Sequence, residues 1–193
     1  FFAFYSKQSN LIVTIFLFFP LLLEDKKRAL IFLAYYLSFV IVSTLVENYF
    51  TNGWYMFWNF FAPMSHQWEW SRLVTFWTTD VVPSYPVFFV LLGFWLVKSH
   101  NINDFPKSKY FLFFLAGTIL NSYFFRLHQG GFLNVLIPLA TSISVLLPIF
   151  LDWFAQNFNT PNNYRNATYV FVLVQFIVLV YNPFLQIPRK IDE

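Results

Sequence analysis

Long apolar runs broken by small clusters of charge organise this chain. A helix needs roughly 20 mostly apolar residues to cross the hydrocarbon core of a bilayer, with about 17 to 25 tolerated. Six stretches come near that requirement: residues 9 to 23, Ala29 to Glu47, Val81 to Val97, Tyr110 to Phe125, Gly131 to Leu151 and Thr168 to Leu185. The first is short, and the apolar residues before Lys7 can extend it. Pro20, Pro83, Pro86, Pro138, Pro148 and Pro183 fall within or at the ends of these stretches, where a bilayer helix tolerates proline better than a soluble one does. The pattern predicts an all-α polytopic membrane bundle of about six transmembrane helices, forming one transmembrane domain over residues 1–193. One segment, Tyr49 to Asp80, fits neither a span nor an ordinary loop. It holds five of the seven tryptophans, a residue that prefers the headgroup level. An amphipathic helix lying in the interface is expected over Gln67 to Thr79, a landing platform for a lipid-linked substrate.

Composition strengthens the membrane assignment. Of 193 residues 58% are hydrophobic, 24% aromatic and only 11% charged, and the mean hydropathy is +0.56, outside the range of ordinary soluble domains. The lack of cysteine excludes disulfides, thiolate metal sites and cysteine nucleophiles. Because residue 1 opens inside an apolar run without an initiator Met, the chain reads as an internal piece of a longer protein. Lys26, Lys27, Arg28, Lys98, Lys107, Lys109 and Arg165 lie in the loops after the first, third and fifth stretches, and this excess marks the cytoplasmic side. Lys7, Arg72, Arg126, Arg189 and Lys190 fall on the opposite, outer side. The sequon Asn166-Ala-Thr168 then sits in a cytoplasmic loop and is not expected to carry a glycan.

Candidate chemistry concentrates where the fourth stretch gives way to the fifth, in Arg126-Leu-His128-Gln-Gly130-Gly131-Phe-Leu-Asn134-Val-Leu-Ile-Pro138. An arginine supplies a planar forked cation for phosphate, glycines let backbone approach a ligand closely, and a helix starting there would aim free N–H groups at an anion. A snorkelling arginine needs neither the histidine nor the glycines. Lys7-Gln8, between two apolar runs, is a second candidate, although a lysine near a helix end can simply snorkel. His66, in its aromatic loop, is either a phosphate or sugar ligand or an interfacial hydrogen-bonding group, and His100 reads as inert. Glu47, Glu69 and Asp80 could each serve as a general base, but none pairs with another acid or a histidine in a catalytic or metal-binding pattern. Their local roles are simpler: Glu47 at a helix end, Glu69 reaching Arg72 at i+3, Asp80 opening a span. There is no glycine-rich nucleotide loop, no HExxH and no Gly-x-Ser-x-Gly.

Four segments in order resemble the C-superfamily of glycosyltransferases (GT-C fold), the polytopic enzymes that take a sugar from a polyprenyl-phosphate donor. The resemblance is greatest to bacterial members related to protein O-mannosyltransferases and to lipid A aminoarabinose transferases. Phe4-Tyr5-Ser6-Lys7-Gln8-Ser9 is similar to the Thr-Lys-Gln-type span start, and Thr51-Asn52-Gly53-Trp54-Tyr55 through Pro63 and His66 is similar to the Gly-Trp-aromatic outer loop. The Arg126 to Pro138 run resembles the Arg-x-His-x-Gly-Gly junction, and Tyr181-Asn182-Pro183-Phe-Leu-Gln186-Ile-Pro188 resembles the Tyr-Asp-Pro-x-x-Gln-x-Pro end of the last span, with Asn182 in place of Asp.

The resemblance implies a transferase of the bacterial inner membrane that moves a sugar from a polyprenyl phosphate to an acceptor on the outer face. It implies donor-phosphate contacts from Lys7, Arg126 and His128, with the Gly130 and Gly131 amides, and substrate contacts from Gln8, Trp54, His66 and Asn134. The family's catalytic acid sits in the first outer loop, which would precede Phe1, so the piece alone is expected to be inactive. No metal ligand set is assigned, and the resemblance leaves a divalent metal open as a cofactor. A transporter or flippase of lipid-linked sugars also needs a basic, aromatic-rimmed cavity, and internal inverted repeats would favour it; none is visible. A non-enzymatic membrane scaffold is a third reading, under which the outer basic residues tolerate change.

Overall fold

The structure, a computed structural model, describes residues 11–98, 108–129, 131, 133–157 and 163–179. These are almost entirely helical and contain no strand, only one isolated bridge. In chain order the helices are α1 (Leu11–Glu24), α2 (Lys26–Phe50), α3 (Arg72–Thr75), α4 (Pro86–Lys98), α5 (Ser108–Leu127), α6 (Ile137–Asn157) and α7 (Asn163–Leu179). A further helical run precedes α3, with Phe57–Phe61 as a π-turn between the short α-turns Trp54–Met56 and Ala62–Met64.

Each of the six apolar stretches is mostly helical within the described residues, but they do not all have spanning length. Lys26–Phe50, Lys109–Leu127 and Leu133–Gln156 are long and apolar enough to cross a membrane. The third expected span is altered. Its first residues belong to the π-helix Phe76–Val81 that continues α3, and regular helix resumes only at Pro86. Pro83 and Pro86 explain the break. Each lacks an N–H and pushes the preceding residue out of the helical region, while Pro86 suits the first position of a new helix. Counting this broken pair as one span gives four. Within the described residues α1 and α7 are shorter apolar helices.

The chain divides into two compact units. The first unites α1, α2, the aromatic segment to Phe76, α5 and α6 as far as Leu146; the second contains residues 77–98 and 147–193.

In the first unit α1 and α2 form a hairpin. Asp25 caps α2 by accepting from the Arg28 N–H at 3.0 Å, and its carboxylate also pairs with the Arg28 guanidinium at 3.1 Å. Only Ala29 and Tyr36 of α2 are buried, whereas Leu30, Ile31, Phe39, Ile41, Val42 and Leu45 are exposed. A helix apolar on its outward face suits lipid. Helix α5 runs antiparallel to α1: Lys109 pairs with Glu24 at 2.6 Å, Tyr110 also donates to Glu24, Phe113 stacks on Phe19 at 5.9 Å, and Gly117 meets Phe16. A Cβ on Gly117 would come within 2.8 Å of the Phe16 Cβ, so the glycine permits the close helix approach. Buried polar groups line the inner part of α5. Thr118 donates to Ser142 of α6 at 2.8 Å, while the Asn121 Oδ1 and Ser122 Oγ are buried with no partner among the described residues.

In the second unit Phe88 and Trp95 of α4 pack against Phe150, and Phe154 meets Phe171 of α7 edge-on. Gln175 of α7 is buried and donates to the Ser84 carbonyl at 2.8 Å. It thereby satisfies a backbone group freed where the proline-rich break interrupts the helix.

Candidate functional site

The predicted interfacial helix over Gln67 to Thr79 does not form as one helix. Residues 67–69 instead pair their backbone with the end of α5: the Glu69 N–H donates to the Leu127 carbonyl at 2.7 Å, and the Gln129 N–H to the Gln67 carbonyl at 2.8 Å. Trp68 and His128 thus face each other in an antiparallel bridge, their ring centroids 4.4 Å apart. Trp68 also stacks on Trp70 and meets Phe124 edge-on. Helix can begin only past this pairing, at Arg72.

An exposed aromatic stripe precedes this bridge. Trp54, Phe57, Trp58, Phe61 and Met64 recur at helical spacing and are all exposed, with Trp54 stacked on Trp58. The Thr51-Asn52-Gly53 turn launches that run. Asn52 and Gly53 adopt positive φ (50° and 89°) where α2 ends, a conformation natural to Asn and Gly. The Thr51 hydroxyl and Asn48 amide oxygen then accept from the N–H groups of Tyr55 and Met56.

A guanidinium that the sequence assigned only to a local ion pair organises the 126–131 turn. Arg72 Nε contacts the Glu69 carboxylate at 2.6 Å, while its Nη1 donates to the carbonyls of Arg126 (3.0 Å), His128 (3.3 Å) and Gly131 (2.9 Å). The Arg126 Nη1 donates to the same Gly131 carbonyl. Two guanidinium groups therefore lie within two hydrogen-bond lengths of each other, at the end of α5 where outward-facing carbonyls concentrate negative dipole.

Gly131 is buried, and its N–H donates to the His128 carbonyl at 2.8 Å. The Gly131 N–H is thus used within the turn, which closes on itself. The glycine is required for another reason: a Cβ there would collide with the Phe125 carbonyl and lie 2.9 Å from the His128 carbonyl oxygen and 3.0 Å from the Arg126 Cα. His128 Nδ1 is buried without a hydrogen-bond partner among the described residues.

Of the residues expected at the site, Arg126, His128 and Gly131 are brought together. Trp54 stands in the exposed stripe, His66 is exposed in the turn after it, and Asn134 is exposed in the 3-10 turn Leu133–Leu136; none of these three takes part in the hydrogen bonds given above for the 126–131 turn. Lys7, Gln8 and Gly130 lie outside the described residues, as does the Tyr181 to Pro188 motif. Glu69 pairs with Arg72 as its i+3 spacing suggested. Among the described residues no group of three His, Cys, Asp or Glu side chains could hold a metal ion.

No protein family, characterised protein or solved structure matches the chain.

Proposed function

We propose that this chain is the membrane-embedded part of a transferase that takes a sugar from a polyprenyl-phosphate donor, with the donor phosphate held at Arg126 and His128. The observation that carries the reading is the meeting of two guanidinium groups at one backbone oxygen, beside a histidine and with exposed tryptophans in the same unit. A carbonyl offers only partial charge, and a guanidinium has five donors in a fixed fork. A phosphate oxygen carries formal negative charge and makes the shorter, stronger charge-assisted bond to such a fork. Negative charge grows on the lipid phosphate as the sugar leaves, and preorganised cations stabilise it most when their positions are already fixed. The Trp54 to Met64 stripe supplies apolar aromatic surface suited to headgroup depth, where a lipid-borne donor would arrive. The resemblance of the four sequence segments points to the same chemistry.

The direct test is transfer of sugar from a polyprenyl-phosphate donor by the purified full-length protein in detergent. Labelled sugar appearing on an acceptor supports the proposal; movement of intact donor across a proteoliposome bilayer without transfer would replace it with a flippase.

An outer-face site also requires a defined sidedness. Helix α5 separates Ser108 from Gln129 by about 30 Å, at roughly 1.5 Å per residue, so the two positions should report opposite faces. In this cysteine-free chain, cysteines introduced at Ser65 and Gln129 should label with an impermeant maleimide applied to intact cells, and one at Ser108 should not. Labelling of position 108 with the other two protected would turn the site to the cytoplasm and end the outer-face proposal.

A further inference from the structure

We infer that Arg72 is the positioning residue of this site: it sets the places of Arg126 and His128 by holding their own backbone carbonyls, and Glu69 aims it. The inference rests on the phosphate-site reading above, although its geometry is independent of it. Three carbonyls from one turn converge on a single nitrogen, Arg72 Nη1, at 3.0, 3.3 and 2.9 Å. Two of the three belong to the candidate phosphate ligands themselves. The Glu69 carboxylate engages Nε of the same planar group, fixing the direction in which Nη1 points. Glu69 is fixed in turn, because its N–H donates to Leu127.

The connection therefore runs as a closed loop from Glu69 to Arg72, from Arg72 to the 126–131 turn, and from Leu127 back to Glu69. The Arg72 side chain is 22% exposed and the Glu69 side chain 35%, so the guanidinium is largely shielded while the carboxylate stays partly open to water. A surface ion pair alone would contribute little. Here the pair is an orienting device for hydrogen bonds to backbone atoms that no side-chain substitution at 126 or 128 can remove.

Lysine at position 72 keeps the charge and can pair with Glu69. It cannot, from a single ammonium, hold that carboxylate and three carbonyls in the same fixed plane. The turn should then lose its register while α5 stays folded.

Two measurements on the full-length protein test this. The first is hydrogen exchange, which needs no ligand. In Arg72→Lys the peptide covering residues 127–133 should exchange at least tenfold faster than in wild type, with the peptide around Thr118 unchanged. Equal exchange at 127–133 would overturn the inference whatever the protein binds.

The second is binding of polyprenyl phosphate in detergent, with inorganic phosphate as the competing free anion. Arg72→Lys should weaken lipid binding about tenfold. Arg126→Gln should weaken it more, and the double variant should be no weaker than Arg126→Gln within a factor of about three, since a residue acting through another is non-additive with it. Unchanged affinity with only a lowered Tm would make Arg72 purely structural, and additive losses would mean that Arg72 touches the phosphate itself; either result overturns the inference. If Arg72→Lys does not fold, Glu69→Gln keeps the guanidinium and frees its aim, and faster exchange at 127–133 is again the expected result. Wild-type protein that binds neither probe refutes the phosphate site, while the exchange result still decides whether Arg72 sets the turn.

Discussion

Arg126→Lys in the full-length protein is expected to lower transfer from a polyprenyl-phosphate sugar by about 10²-fold to 10³-fold, or roughly 3 to 4 kcal/mol, the usual cost of losing one preorganised donor. Charge is conserved in this change, so a purely electrostatic or snorkelling role predicts almost no effect. Geometry predicts the loss. The Arg126 Nη1 donates to the Gly131 carbonyl, and a guanidinium carries five N–H donors in one fixed plane. Lysine offers three donors from one point and must abandon one partner to serve the other. The measurement is kcat and KM for the lipid donor with wild type and variant at matched expression. A rise in KM with kcat unchanged would indicate that Arg126 binds ground state and transition state equally. Equal rates would return Arg126 to the role of a helix-end anchor and remove the donor phosphate from this turn.

Gly131→Ala is expected to destabilise the protein by about 3 kcal/mol, the upper end for inserting atoms into a packed site. The atoms that a Cβ would strike are all backbone: the carbonyl oxygens of Phe125 and His128 and the Cα of Arg126. None can rotate away as a side chain would. Relief requires the turn to open, which breaks the Gly131 to His128 hydrogen bond and moves the carbonyl that both guanidiniums share. Gly93 in α4 is the control, since a Cβ there meets nothing within 4 Å; Gly93→Ala should be neutral or slightly stabilising, alanine being the better helix former. Thermal unfolding in detergent distinguishes the two. A Gly131→Ala protein as stable as Gly93→Ala would contradict the tight turn.

Much of this architecture is legible in the sequence because apolar periodicity and length are local properties. The helices from Leu11, Lys26 and Ser108 begin close to where the apolar runs place them, whereas the helix from Ile137 starts later than the run that opens at Gly131. The Glu69 and Arg72 pair also follows from spacing along one chain segment. What stayed hidden is carried by backbone. The pairing of residues 67–69 with 127–129 joins main-chain groups far apart in the chain, and no side-chain pattern encodes it. A bridge at Trp68 stands in place of the expected interfacial helix, and an exposed aromatic stripe runs over Trp54–Met64. Arg72 escaped selection for the same reason, as its most informative partners are carbonyls. The sequence suggests that Gly131 lets backbone approach a ligand; the backbone crowded against it is that of its own turn. Pro83 and Pro86 read in the sequence as tolerated within one span from Val81 to Val97, so neither the break before α4 nor the donation from Gln175 to the carbonyl left open there was legible.

The wide sequence separation of Arg72 from its carbonyl partners also orders events during synthesis. Its contact with the Arg126 carbonyl bridges 54 residues, which at roughly 5 to 20 residues per second take about 3 to 11 s to produce. Throughout that interval the guanidinium has no turn to hold. Glu69, made three positions earlier, is already present and can neutralise it at the bilayer surface while α4 and α5 are still being made. The ion pair that later aims Arg72 can thus first act as a placeholder, keeping a lone cation out of the lipid until the partner segment arrives.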